Sequence, residues 1–224
     1  MITKTAILIF ANSARIDAER KCINNGKEFF NFQHRNLLKL VKKSKLPHFW
    51  IDENRQVGDN FENRYLNAVQ HIFNKGYQQV ISIGNDTPGL KLKHILEASE
   101  LLQHNSMCFG PSKDGGFYLW GVKRESFEKN SFLDFKWNTK DLLPEILNEL
   151  THNSVRFDCI ETLIDLDCNE DAFLLLRNKS IDFELKYILL EIISKPNNPS
   201  TLFQFITKTQ LKSLYYNKGS PLPA

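Results

Sequence analysis

The stretch Val80-Ile81-Ser82-Ile83-Gly84-Asn85-Asp86-Thr87-Pro88-Gly89-Leu90 predicts a buried strand that ends in a carboxylate. Its first four residues are mostly β-branched and are bounded by turn formers, which is typical of an inner strand of a parallel sheet. Gly84 lets the backbone turn, and Pro88 suits the first turn of a helix that would follow at once. In open α/β sheets ligands bind outside the carboxyl ends of the strands, so Asp86 would face the ligand crevice. The alternative is that Asp86 only caps the following helix.

Short apolar runs alternate with amphipathic segments through most of the chain. Strands are predicted at residues 6–10, 47–51, 80–83 and 107–109, and helices at residues 28–43, 61–73, 91–103, 140–150 and 169–177. This order predicts a mixed, mostly parallel sheet covered by helices on both faces, which is a three-layer α/β/α sandwich.

The last part of the chain has a different pattern. Residues 183–193 are apolar almost all round a helix, residues 195–199 break the chain with two prolines, and residues 202–216 predict another helix. A helix that is apolar on all sides must be buried. We therefore expect an α/β domain over residues 1–178 and a C-terminal helical extension over residues 179–224, packed on the domain or on a second copy in a homodimer.

Composition excludes several classes of protein. The chain has 224 residues and a net charge of +3, which does not indicate a nucleic-acid partner. No apolar run approaches the roughly 20 residues that cross a bilayer. Four cysteines without a C-x-x-C pair favour a reduced, cytoplasmic protein over a disulfide framework or a zinc site.

A second motif joins two apolar runs through Pro111-Ser112-Lys113-Asp114-Gly115-Gly116. The two glycines could serve only a tight hairpin turn. They could equally leave backbone N–H groups open to an anionic or sugar ligand. The sequence leaves both interpretations open.

A third motif is Ile164-Asp165-Leu166-Asp167. In an extended segment the two aspartates lie on the same face, where their charges repel each other unless a cation joins them. Oxygen ligands alone favour Mg²⁺ or Mn²⁺. The alternative is a solvated pair in which one aspartate caps the helix that follows.

The loop after the first strand, Ala11-Asn12-Ser13-Ala14-Arg15, is expected at the same edge of the sheet as Asp86. Arg15, Arg20 and Lys21 could contact the phosphates of a ligand there, or they could be solvated surface charges.

The three motifs together resemble the DUF2064 family of bacterial proteins, which have the glycosyltransferase A-type fold of nucleotide-diphospho-sugar transferases. The resemblance covers about residues 5–177 and includes Gly58-Asp59-Asn60 and Trp137. It implies a nucleotide-diphospho-sugar transferase-like fold, in which Asp86 holds a divalent metal and Asp167 or Asp165 is the second ligand.

The resemblance also implies roles for the second motif and for residues that would contact substrate. Asp114 would position the acceptor or act as the base, and Gly115 and Gly116 would line the acceptor or sugar pocket. Asn85, Arg15 and Trp137 are the other candidates for substrate binding.

The N-terminal loop departs from the family. Members usually have a glycine followed by Lys-Thr-Arg-Leu, whereas this chain has no glycine before Gly26. Without glycines the backbone cannot wrap phosphates closely. We therefore expect a metal-dependent transferase with a nucleotide-activated donor, in the first place a nucleotide sugar. The alternatives are a nucleotidyltransferase that uses a nucleoside triphosphate and a non-catalytic protein that binds a nucleotide or a partner.

Overall fold

The computed structural model describes residues 5–177 and 181–194. In this part of the chain, the sheet is built from β1 (Thr5–Phe10), β2 (His48–Ile51), β3 (Gln79–Ile83), β4 (Met107–Pro111), β5 (Phe117–Lys123) and β6 (Phe157–Cys159). The strands lie in the order β2-β1-β3-β5-β4-β6. β5 runs antiparallel to both of its neighbours, and all other pairs are parallel. The predicted mixed, mostly parallel sheet is confirmed.

Helices cover both faces of the sheet. The α-helices of the described residues are α1 (Ala14–Lys21), α2 (Gly26–Ser44), α3 (Phe61–Asn74), α4 (Leu92–His104), α5 (Lys129–Leu133), α6 (Leu142–His152), α7 (Asn169–Leu176) and α8 (Phe183–Ser194). Successive residues of a strand point to opposite faces. Leu8 of β1 accordingly joins a core cluster with α3 and α6, whereas Ile7 and Ile9 join a cluster with α2 and α4. The three-layer sandwich is thus confirmed.

Helix α8 packs on the first turns of α2. Its buried side chains belong to the same cluster as Phe29 and Phe30, and this cluster also contains side chains of α7. Phe183, Tyr187 and Leu190 are exposed on α8. The helix predicted at residues 202–216 lies outside the described residues, so the domain boundary and the homodimer stay predictions.

The connection after β3 differs from the sequence prediction. Helix α4 begins at Leu92 with Lys91 as its N-cap, and a turn in which Leu90 N donates to Thr87 O at 3.1 Å comes first. The helix therefore does not follow the strand at once, and the prediction for Pro88 was wrong. Asp86 does not cap α4, and its backbone oxygen accepts a hydrogen bond from Leu166 N at 2.8 Å.

Within the described residues, none of the helices combines the length and the apolar character that crossing a bilayer requires.

We predict that Leu189→Ala lowers the free energy of unfolding of the α/β core by about 2–5 kcal/mol, because it opens a cavity in a packed cluster. Leu189 is 0% exposed, and the neighbouring Leu190 is 43% exposed. Leu190→Ala is therefore the matched control, with an expected effect below about 0.5 kcal/mol. Urea unfolding followed by tryptophan fluorescence measures both. Equal effects of the two substitutions would mean that α8 does not stabilise the core.

Candidate functional site

A cavity of about 560 Å³ opens at the carboxyl ends of β1 and β3. These strands are parallel neighbours, so the residues that follow them, Asn12 on one and Gly84 to Asp86 on the other, line the same space. The loop between β4 and β5 and the segment before α7 complete the wall. The volume is typical of sites for small molecules.

Three carboxylates meet on one side of the cavity. One oxygen each of Asp114, Asp165 and Asp167 lies within 4.8 Å of the other two. Burial and the nearby charge of Asp86 raise the pKa of Asp165 to about 8, and burial also raises the pKa of Asp167. Burial is the largest cause of both shifts, and the charges of the neighbouring aspartates add to it. The all-oxygen donor set fits Mg²⁺ or Mn²⁺.

Asp86 is joined to this acidic group by a lysine. Lys21 Nζ donates to Asp86 Oδ2 at 2.7 Å and to Asp167 Oδ1 at 2.5 Å. Burial opposes the charge of Lys21, but the two carboxylates outweigh burial and raise its pKa above the ordinary value. Burial likewise opposes the charge of Asp86, and Lys21 keeps the pKa of that carboxyl below its ordinary value. An ammonium group therefore lies between two of the carboxylates that the sequence assigns to a metal.

Backbone pairing brings Asp165 and Asp167 into the cavity. Leu163 N donates to Pro111 O at 3.0 Å, which holds the segment before α7 alongside the end of β4. Thr87 Oγ1 donates to Asp165 Oδ1 at 2.5 Å and so fixes one carboxylate.

The N-terminus of α7 is capped by a different aspartate. Asp171 Oδ2 accepts from the backbone nitrogens of Asp167 and Cys168, at 3.0 Å in each case. The alternative in which Asp165 or Asp167 serves as a helix cap therefore does not describe this structure.

The loop with two glycines is both a hairpin turn and a wall of the cavity. It joins the antiparallel strands β4 and β5, and Asp114 and Gly116 line the cavity. Asp114 Oδ1 accepts from Ser112 Oγ at 2.5 Å and from Gly116 N at 3.0 Å. Gly115 has φ +95°, and a Cβ there would lie 2.0 Å from the carbonyl oxygen of Lys140. The residue at this position must therefore be glycine because the backbone of Lys140 lies so close to it.

Aromatic rings form another side of the cavity. Phe61, Tyr65, Phe117 and Trp137 line it, and the ring centroids of Tyr65 and Trp137 are 5.6 Å apart. Trp137 Nε1 donates to Phe132 O at 2.7 Å, which fixes the indole ring in the loop before α6. Such rings offer flat apolar surfaces to a base or a sugar.

A network of amides and a carboxylate forms the wall at the end of β1. Asp17 is buried and accepts from Asn85 Nδ2 at 2.7 Å and from Asn12 Nδ2 at 2.6 Å. Gln56 Nε2 donates to Asn12 Oδ1 at 3.1 Å. The side chain of Asn85, a predicted substrate contact, is therefore held by α1.

Helix α1 carries the residues that sequence reasoning missed. The sequence did not indicate Asp17 as a site residue, and it left open whether Lys21 contacts a phosphate or is a solvated surface charge. Their spacing of four residues puts both on one face of α1, but this signal has meaning only where the helix itself is predicted. Arg15, by contrast, is an exposed residue paired with Glu19 at 3.0 Å, and it does not line the cavity.

The N-terminus of α1 is occupied by a carboxylate. Ser13, its N-cap residue, donates to Glu53 through both its backbone nitrogen and its hydroxyl, at 2.6 Å each. Hydrogen bonds from Ser13 lower the pKa of Glu53. Because helix N-termini attract anions, the place that a phosphate would take at this loop already holds an internal anion.

We predict that Gly115→Ala destabilises the protein by about 1–3 kcal/mol, because the new Cβ would overlap the backbone of Lys140 at a positive φ. Gly116→Ala is the neighbouring control: its Cβ would come no closer than 3.3 Å to any atom outside its chain neighbours. We expect a smaller loss from it. Thermal unfolding of the two variants checks the order, and the reverse order would contradict the loop geometry.

The comparisons with known proteins agree with the family and the fold. The model of the DUF2064 family, described as an uncharacterized protein conserved in bacteria, matches residues 42–139. This range contains β3, the turn with two glycines and Trp137, so the resemblance is confirmed over these motifs. No curated protein matches the sequence significantly.

A crystal structure of another protein shares the fold. It is that of a candidate nucleotide-diphospho-sugar transferase from Desulfovibrio desulfuricans, with 20% sequence identity and a TM-score of 0.71. The match covers 86% of this chain and 95% of that chain. The chain therefore has a nucleotide-diphospho-sugar transferase-like fold.

More distant matches come from mycobacteria. Rv0371c from Mycobacterium tuberculosis has 10% identity and a TM-score of 0.48, covering 80% of this chain and 100% of that chain. Its homologue from a Mycobacterium species has 11% identity and a TM-score of 0.45, covering 84% and 98%. A manganese complex of Rv0371c has 8% identity and a TM-score of 0.37, covering 84% and 99%.

Proposed function

We propose that the protein is a metal-dependent transferase that uses a nucleotide-activated donor, with a nucleotide sugar as the donor class. The observation that carries this proposal is the cavity itself, which is lined by both an acidic group and aromatic rings at the carboxyl ends of β1 and β3. A nucleotide sugar has a diphosphate, whose negative charge a cation balances. It also has base and sugar rings, which pack on flat apolar surfaces. The name of the Desulfovibrio protein with the same fold supports the same donor class.

The residues that would hold the metal are aspartates. We place Asp165 and Asp167 among the metal ligands in either of two arrangements. The third ligand would be Asp114, which already lies in the acidic group, or Asp86, which accepts a hydrogen bond from Lys21. When bound, a divalent metal stabilises the negative charge that develops on the departing nucleoside diphosphate.

Among the described residues, hydrogen bonds reach one carboxylate oxygen of Asp114 and leave the other open. Both of its hydrogen bonds from Ser112 and Gly116 go to Oδ1. If Asp86 completes the metal site, Asp114 Oδ2 is placed to orient the acceptor or to accept its proton. Gly116, Asn85 and Trp137 would then contact the donor or the acceptor along the cavity wall.

The nucleotidyltransferase alternative is weakened by Glu53. A triphosphate would have to use the loop after β1, where the N–H and the hydroxyl of Ser13 already donate to a carboxylate. The non-catalytic alternative draws support from Lys21, which balances the charges of Asp86 and Asp167 without a metal.

A thermal-shift screen with nucleoside diphosphates, nucleoside triphosphates and nucleotide sugars, each with and without Mn²⁺, tests the proposal. A ligand at about 100 times its dissociation constant adds roughly 2.7 kcal/mol, which raises the unfolding midpoint of a chain of this size by about 5–10 °C. We expect the largest Mn²⁺-dependent shift with one class of nucleotide sugar. A larger shift with a triphosphate would favour the nucleotidyltransferase, and no shift with any donor would favour the non-catalytic protein.

Asp165→Asn should abolish the Mn²⁺-dependent part of this shift, because it removes a carboxyl group that would become a metal ligand. Asp134→Asn, at an exposed aspartate that does not line the cavity, is the matched control and should keep the whole shift. If both variants respond like the unmodified protein, Asp165 is not a metal ligand.

A further inference from the structure

Lys21 occupies the position between two carboxylates that a bridging metal would need. Its Nζ lies 2.7 Å from Asp86 Oδ2, 2.5 Å from Asp167 Oδ1 and 3.3 Å from the carbonyl oxygen of Leu166. All three contacts are to oxygen. The ammonium group thus takes the kind of partners that a hard cation takes in proteins.

A metal and this ammonium group cannot bind the same oxygens undisturbed. A divalent ion lies about 2.1 Å from its ligand oxygens, so an ion on Asp167 Oδ1 would be within about 5 Å of Nζ. Cations this close repel each other strongly in a partly buried site. Full use of Asp86 and Asp167 by a metal therefore requires Lys21 to move away.

The side chain of Lys21 lies at the surface of the cavity. It is the last residue of α1, it is 21% exposed, and it lines the cavity instead of the closed core. Lysine has a long flexible stem, and its ammonium group can exchange a carboxylate for another anion. Within the cavity, a phosphate group of a donor would be such an anion.

We propose that Lys21 sets the divalent-cation affinity of this site, because its ammonium group balances Asp86 and Asp167 in the cation-free protein and would have to leave a carboxylate that held a metal. This inference rests on the proposed metal site. It makes Lys21 a specificity-determining residue: the site excludes cations that bind too weakly to displace the ammonium group, and a donor phosphate that attracts Lys21 favours metal binding.

The test is calorimetric titration of the protein with Mn²⁺ alone, together with its thermal unfolding. We expect Lys21→Met to bind Mn²⁺ at least tenfold more tightly than the unmodified protein, since the competing cation is gone. We also expect its unfolding midpoint to fall without Mn²⁺, because Asp86 and Asp167 lose their partner, and to recover when Mn²⁺ is added.

The matched control is Lys93→Met. Lys93 Nζ pairs with Glu161 Oε2 at 2.5 Å, but this lysine is 60% exposed and does not line the cavity. The Lys93→Met substitution removes the same charge and the same type of ion pair as Lys21→Met. It therefore measures how much the loss of any lysine changes Mn²⁺ affinity through general electrostatics. We expect its Mn²⁺ affinity to stay within twofold of the unmodified protein.

The outcomes separate this inference from the proposed function. Equal Mn²⁺ affinities of the unmodified protein and Lys21→Met would overturn the inference and leave the metal site standing. No Mn²⁺ binding by either would overturn both. If Lys21→Met does not fold without metal, Lys21→Gln is the second neutral variant, and failure of both to regain the folded state in Mn²⁺ would also overturn the inference.

Discussion

The ion pairs of Lys21 with Asp86 and Asp167 join three parts of the chain: the end of α1, the loop after β3 and the segment before α7. Partly buried carboxylates are stable as anions only when a cation or hydrogen-bond donors balance them. Asp114 and Asp165 add further negative charge within the same cavity. The arrangement of the whole site therefore depends on a cation, and the last residue of α1 supplies one.

Most of the fold was predictable because the core strands have a simple signature. Residues of β1 and β3 are buried on both faces, and both read as short runs of apolar residues between turn formers. Helix α1 was not predicted, because it has no apolar stripe: its buried residues are Ala14 and Asp17. The turn at Pro88 was misjudged for another reason: the backbone oxygen of Asp86 is satisfied by Leu166, which is far away in sequence.

The candidate site was only partly predictable. The motifs that contain Asp86, Asp114 and Asp165 stand out locally, since each places a carboxylate next to a strand or a turn. Their partners do not stand out. Lys21 is separated from Asp86 by 65 residues and from Asp167 by 146, and such pairs leave no periodic pattern in a sequence. The same holds for Ser13 and Glu53, which are 40 residues apart.

Both ends of α1 pair with charged groups of the protein itself. These pairs limit the ligand charges that the site can accept. At its N-terminus Ser13 binds the carboxylate of Glu53, and at its C-terminus Lys21 binds two aspartates. Under the proposed function, Asp86 and Asp167 would hold a divalent metal and Lys21 would pair with a phosphate of a diphosphate donor, so the net charge at this end of α1 would stay balanced. A triphosphate would place additional negative charge near a loop that already holds Glu53, and two anions at one helix N-terminus repel each other. The charges at the two ends of α1 are therefore a reason to propose a diphosphate donor rather than a triphosphate.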